Sequence, residues 1–530
     1  MPLWIAFGGA CRRAASASGL EARWALAALA LAALPVTLLA GFTVDDAWIA
    51  PRYAAHLAAG LGYRFNPGGP ATDGVTPLPW APLLALFGAD PLRVWRSARV
   101  CGALAWLASA AYLGARASRV EGRPARALPL AALAASAPLG AWACAGTETA
   151  LAAALVAFAS SAPASAPALA AAACGAAASL RPELLPFAAV VGGWRSLRPA
   201  GPRLRDPRPA SSDPFASAVS TSSASAARFS FSFSFSGAPF TFSVAPFALA
   251  IAPWLAVVAL RLALFGRPVP LAVDAKPSDF SHGAAYALAG LLLGGFPALA
   301  CAPLALVRRP ELARARWLVA AALAHALSLA AAGGDWMPLS RLWAPVFPAL
   351  LVAAVDLAAL APLGWTLARL LVALATLGFV WTRAGAAAAG VVATRLPLVE
   401  RARASLAPDE IVAALDVGWL AVAGDHRIVD LAGRTDPTLA ALPGGHTSKR
   451  VPSALLDARG VTTLVVLSGA EGPCRPARVP AARVVEERLL RDPWIIDAFE
   501  ASDAWASGPL CYIVWRKKGS VPAAPVPPRP

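Results

Sequence analysis

Charged side chains are scarce in this sequence: they make up 14% of its 530 residues, whereas about 25% is usual for a soluble domain. Hydrophobic residues reach 58%, with a mean hydropathy of +0.60. Such a chain cannot be intrinsically disordered, although it holds 49 Pro and 41 Gly, because disorder needs low hydrophobicity. Lysine is almost missing. Of 46 basic side chains only Lys276, Lys449, Lys517 and Lys518 are lysine. The seven cysteines include no C-x-x-C pair, which excludes zinc-ribbon and thioredoxin-like sites. His56, His282, His325, His426 and His446 lack metal-ligand spacing. There is no Walker loop, G-x-S-x-G elbow, H-E-x-x-H or dinucleotide fingerprint. These absences argue against an ATP-driven pump, the common hydrolases and zinc proteases.

What remains is apolar sequence punctuated by arginine. Stretches long enough for a bilayer helix are read near 23–42, 98–113, 127–145, 149–160, 164–180, 184–194, 244–265, 284–306, 317–332, 342–361 and 363–380. Residues 78–86 are apolar but too short to span. The sequence therefore predicts an all-α polytopic membrane protein with roughly eleven transmembrane helices. Arginine clusters at 12–23, 116–126, 195–208 and 308–316 fall on one side of that arrangement, which places the N-terminus in the cytoplasm. The first apolar segment is longer than a signal-peptide core and reads as an uncleaved span. The net charge of +16 is thus loop charge facing membrane lipids, and no nucleic-acid partner is expected.

Residues 1–383 form the membrane domain, with a low-complexity cytoplasmic loop at 196–243. Within it, Phe229–Phe235 alternates Phe and Ser. Alternation suggests a strand, but an isolated strand has no partner in a membrane, so an interfacial segment is expected. Residues 384–516 carry mixed charge and β-rich runs such as Val461–Leu467, which predicts a small soluble α/β domain. Parity places it outside the membrane, where Cys474 and Cys511 can form a disulfide. The other cysteines read as small hydrophobes. Residues 517–530 form a Pro-rich disordered tail.

Polar residues collect at the external span ends. They include Asp45, Asp46, Thr147, Glu148, Arg181, Glu183, Asp274, Lys276, Asp279, His282, Asp335 and Arg341. Ionisable groups among apolar helices are expensive and are a functional hypothesis by default, although span ends are also where charge costs least. Asp45 and Asp46 open a helical stretch, 45–60, in which Asp45, Ile49, Arg52 and His56 share a face. Adjacent carboxylates beside an arginine suit general-base work; Asp45 equally suits a helix cap, and Pro51 is expected to kink or shorten the helix. Lys276 stands out in a chain that prefers arginine, as a compact cation for phosphate. Gly333-Gly334-Asp335-Trp336 reads as a sharp turn with an interfacial tryptophan. His325 lies mid-span and is expected to be packed or hydrogen-bonded.

The stretch DDAWIAPRYAAHLAAGLGYRFNPGGPATDGVTPLPW, Asp45–Trp80, resembles the first external loop of bacterial GT-C-type glycosyltransferases, those similar to arabinofuranosyltransferases that use polyprenyl-phosphate sugars. GTETAL at 146–151, RPE at 181–183, DAKP at 274–277, GGDWMP at 333–338 with Arg341, and IVDLAGRTDP at 428–437 resemble further family segments, in the same order. Trp48, Pro51, Asp73 and Val75 depart from its pattern. The resemblance implies a GT-C-like enzyme of the bacterial cytoplasmic membrane. It would move a sugar from a polyprenyl-phosphate donor to an envelope glycan or lipid acceptor in one inverting displacement. Asp45 or Asp46 would take the acceptor's proton. Lys276, Arg52 and Arg341 would hold the phosphate, and Glu148, Glu183 and Asp335 would position sugar hydroxyls or those cations. A divalent cation, Mg or Mn, is compatible with the family but not required by the sequence. A transporter or flippase would instead predict internal repeats, and a scaffold would leave the first loop without a role.

Overall fold

A computed structural model describes residues 19–118, 123–134, 136–199, 230–235, 238–275, 279–295, 309, 312–358, 363–382 and 386–519. Five of its helices are long and apolar enough to cross a membrane: Gly19–Leu38, Pro91–Ala117, Val244–Phe265, Ala313–Ala332 and Leu363–Val380. Ala127–Leu133 and Ala137–Cys144, bent by 51°, would make a sixth if counted as one span. Their flanks expose Leu255, Leu260, Leu264, Leu327, Leu371 and Phe379, a surface that hydrocarbon covers and water does not. The chain is in this sense a membrane protein.

Eleven spans are not found, because apolar composition does not guarantee continuous helix. Thr149–Ser161, Pro167–Leu180, Leu185–Ser196 and Phe347–Ala358 have 13, 14, 12 and 12 residues. At about 1.5 Å per residue none reaches across a core of about 30 Å. Prolines at 163, 167, 182, 186 and 348 mark these breaks. Thr149–Ser161 packs inside the bundle with nearly all its side chains covered, and Pro167–Leu180 buries most of its small side chains beyond an exposed first turn. Of the predicted span at 284–306, residues 280–295 are helical and 296–308 lie outside the described residues. The orientation inferred from eleven crossings therefore loses its count.

The Phe/Ser segment is a second correction. Ser230–Phe235 (β2) pairs antiparallel with Ala238–Ser243 (β3), which also pairs with Leu197–Pro199 (β1). The alternation continues through APFTFS, so the strand supplies its own partner.

The C-terminal domain is α/β, as predicted. After helix Ala386–Ser405 come β4 (Ile411–Ala414), β5 (Arg427–Asp430), β6 (Thr463–Leu467), β7 (Phe499–Ser507) and β8 (Leu510–Lys517), in sheet order β5-β4-β6-β8-β7. β4, β5 and β6 are parallel, and β8 runs antiparallel to β6. Strand alternation divides the apolar residues between two faces. Ala413, Leu464, Val466 and Ile513 face helices of the domain itself. Val412, Ala414, Val465 and Val514 share a core with Trp48, Trp95 and Leu398, so the domain and the first loop of the membrane part are packed as one body. From β4 the chain goes to β5 on one side and then crosses to β6 on the other. In such sheets the carboxyl ends of the strands open a crevice at that switch point. Cys474 and Cys511 form the expected disulfide.

Candidate functional site

The helix that follows the first span runs Asp46–Ala58. It continues seven residues beyond Pro51, so the proline does not shorten it. Asp45 occupies its N-cap position, but its side chain makes no capping bond. The carboxylate turns instead to the C-terminal domain. Oδ2 accepts from Gly418 N–H at 3.1 Å and Oδ1 from Trp419 N–H at 3.2 Å. Gly418 is required for this approach, since an added Cβ would run into the Asp45 carbonyl.

Arg434 closes the pair. Its Nη2 lies 3.0 Å from Asp45 Oδ2, and its Nη1 is ion-paired to Asp46 Oδ1. On the other flank, Arg341 lies 3.5 Å from Asp46 Oδ2 and donates its Nε to Asp335 Oδ2 at 2.7 Å. Arg341 and Arg434 stay fully charged: burial works against them, but the surrounding carboxylates outweigh it and raise both. Burial pushes Asp45 the opposite way, above its ordinary value, and nearby Asp416 adds to this while Arg434 and Arg395 oppose it.

Arg341 is delivered by an unusual loop. Gly333 and Gly334 adopt φ of 86° and 72°, the sharp turn expected of that pair. Leu339 and Ser340, directly before Arg341, have φ of 59° and 50°. Non-glycine residues there cost about 1–3 kcal/mol each and cluster at functional sites. Trp142 holds the loop by donating Nε1–H to the Leu339 carbonyl at 2.9 Å. His325 is fully buried, as expected, with its ring nitrogens each 3.0 Å from the carbonyls of Glu183 and Leu342. It thereby joins the segments bearing Glu183 and Arg341.

Glu148 and Glu183 meet on one cation, Arg181, at 2.7 and 2.6 Å. Glu148 lies close enough to act on Arg341, so this triad borders the carboxylate pair. Arg52 does not join them. Its guanidinium donates to the carbonyls of Phe65 (2.6 Å), Ala421 (3.1 Å), Gly424 (2.9 Å) and His426 (2.7 Å), which makes it a strut between loop and domain. Asn66 does similar work, bonding both ways with the Ile428 backbone of edge strand β5 at 2.8 Å. Lys276 lies outside the described residues. His282 stacks on exposed Trp336, with ring centroids 4.1 Å apart, beside Asp335.

Sequence reasoning passed over several members of this cluster. Arg434 lies within the segment IVDLAGRTDP, whose residues alone assign it no role. Asp416, Arg395, Arg483 and Tyr512 form an ion cluster behind Asp45, with Arg483 2.8 Å from Asp416. The available signal was the strand–turn pattern: Asp416 and Arg434 each follow a short apolar strand of the parallel part of the sheet, at its carboxyl end. Among the described residues no group of three or more His, Cys, Asp or Glu is arranged to hold a metal ion. Asp45, Asp46 and Asp335 each pair with a guanidinium group.

A family model described as "Domain of unknown function (DUF8728)" matches residues 388–508, a segment that lies within the C-terminal domain and includes Asp416, Arg434 and Arg483. No curated protein and no solved structure matches the chain.

Proposed function

We propose that this protein is a membrane glycosyltransferase. It takes a sugar from a polyprenyl-phosphate donor and moves it to an extracytoplasmic glycan or lipid acceptor with inversion. The observation that carries this reading is a carboxylate, Asp46, standing between Arg341, which follows an apolar helix, and Arg434 of the C-terminal domain that lies over it. Asp46 is taken as the proton acceptor, since it stands between Arg341 and Arg434, whereas Asp45 is held by two backbone N–H groups and Arg434. The acceptor O–H gives its proton to Asp46 while its oxygen bonds to the anomeric carbon. The bond from that carbon to the phosphate oxygen breaks, and its electron pair leaves with polyprenyl monophosphate. Arg341, and by the family resemblance Lys276, would receive the phosphate charge. The strained approach to Arg341 supports a preorganised cation. The disulfide supports an outward-facing C-terminal domain on the bacterial cytoplasmic membrane.

The test is sugar transfer by membranes containing the protein, with a panel of polyprenyl-phosphate sugars and envelope glycans. Transfer that disappears in Asp46→Asn at unchanged protein level supports both the class and the base; no transfer from any donor defeats the reading. A purely structural junction is the second reading, favoured by the pairing of Asp45, Asp46 and Asp335 with arginine. It predicts that Asp46→Asn lowers stability and changes no reaction.

A further inference from the structure

Two acids on adjacent residues of a buried helix start repel each other. Unless a cation intervenes, such a pair shares a proton. Asp45 faces Arg434, Asp46 and the two N–H groups of Gly418 and Trp419, with Asp416 and Arg395 behind it. Asp46 faces Arg434 and Arg341. Arg434 alone of these cations bonds both carboxylates, and it comes from the other domain.

We propose that Arg434 is a positioning residue supplied by the C-terminal domain, which holds Asp45 and Asp46 side by side as an ionised pair.

The turn that carries Arg434 is built for one conformation. Asp430 accepts from Ala432 N–H at 2.9 Å, and from Thr435 N–H and O–H at 2.8 and 3.1 Å. Gly433 has φ of 75°, and a Cβ there would meet the Ala440 backbone. The guanidinium's remaining bond runs to the Leu415 carbonyl at 3.2 Å, and its Nε has no hydrogen-bond partner among the described residues. The side chain is therefore dedicated to the carboxylate pair. A planar fork can bridge two carboxylates, which the point charge of a lysine cannot do equally well. Without Arg434, burial, Asp416 and the neighbouring acid would act on Asp45 with Arg395 as the main opposition. The pair would then take up a proton and lose its base.

This inference rests on the glycosyltransferase reading only for the reaction that the pair serves. The charge-holding role can be read without a sugar donor. N,N′-dicyclohexylcarbodiimide modifies protonated carboxyls in apolar surroundings. The full chain in detergent is treated with it from about pH 5 to about pH 9, and labelling of the 45–46 peptide is followed by mass spectrometry. In Arg434→Gln, labelling at neutral pH rises several-fold and its midpoint moves up by about 1–3 pH units. Arg434→Lys falls between the two. Asn66→Ala, which loosens the same domain contact without touching the pair, labels as the parent does. Unchanged labelling in Arg434→Gln, or a rise in Asn66→Ala as large as the rise in Arg434→Gln, overturns the proposal. Where transfer is measurable, the acid limb of kcat moves up in Arg434→Gln by the same amount. A parent protein without transfer defeats the enzyme reading and leaves the labelling result to stand for the pair.

Discussion

Arg261 Nε donates to Asp73 Oδ2 at 2.8 Å, and both side chains are almost wholly buried. Arg261 lies near the end of the spanning helix Val244–Phe265, while Asp73 belongs to the first loop. The pair pins that loop to the helix, and Arg261 also bonds the Thr76 carbonyl. Removing one partner of a buried pair leaves the other charge uncompensated, at a cost of about 3–5 kcal/mol. Arg261→Met and Asp73→Asn should therefore each lower the unfolding temperature strongly. The double variant should lose less than the sum, since neither charge is then stranded. A strictly additive double-mutant cycle would mean that the contact contributes nothing.

Arg52 gives a second prediction, about the union of the two domains. Its four carbonyl partners span Phe65 to His426, and its side chain is buried against the Phe65 ring. Arg52→Met leaves the four carbonyls unpaired. Even at about 1 kcal/mol per lost bond the domain should loosen measurably. Arg52→Lys should fail to restore it, because one ammonium cannot reach all four carbonyls from a single point. Limited proteolysis of the 59–79 loop should accelerate in both variants; resistance equal to the parent's would refute the strut.

The legible part of this protein was its composition and its local chemistry. Apolar runs located the helices, but only the prolines at their ends revealed which runs were long enough, and a hydropathy window averages over prolines. The glycine pair at 333–334 and the packed His325 followed from elementary backbone and burial arguments. Asp45, Asp46, Asp335 and Arg341 were legible as charges at span ends, and they do converge. Arg52 was misplaced because helical spacing gives the face of one helix and not what another domain lays against it. Arg434 was hidden for the same reason, since 388 positions separate it from Asp46 and no periodic pattern links them.

The disulfide offers a third test, which also bears on orientation. Cys474 and Cys511 close a loop with a sequence separation of 37. In the chain-entropy picture such closure is worth about 2–4 kcal/mol. Cys474→Ser and Cys511→Ser should destabilise the C-terminal domain equally, and reductant should bring the parent down to their level without affecting them further. Alkylation of intact cells should leave both thiols unmodified until reductant is added, because the bond persists on an oxidising side of the membrane. Prompt alkylation would place the domain in a reducing compartment and remove the support for an outward site.

The last prediction concerns pH. Glu486 is almost fully buried beside Arg483, at 3.9 Å, and its Oε2 has no hydrogen-bond partner among the described residues. Burial pushes its carboxyl from an ordinary value near 4.5 up to about 8, against the pull of Arg483. Arg483 is committed to Asp416, which burial disfavours as an anion but which Arg483 and Arg395 together hold below the usual carboxylate range. In the folded protein, then, Glu486 is protonated at neutral pH, while in the unfolded chain it is ionised. Between these two values the folded state binds the extra proton, so stability must fall as pH rises from about 4.5 to about 8 and then level off. Glu486→Gln keeps the shape and removes the titration. It should flatten the pH dependence of unfolding across that window and stabilise the domain at about pH 8 by an amount on the order of 2–4 kcal/mol. Near pH 5 the variant and the parent should be nearly equal, because both are then neutral at this position. A variant that keeps the parent's slope would show that Arg483 ionises Glu486 in the folded state. Glu486 would then compete with Asp416 for Arg483, and the support behind Asp45 would be weaker than its 2.8 Å contact implies.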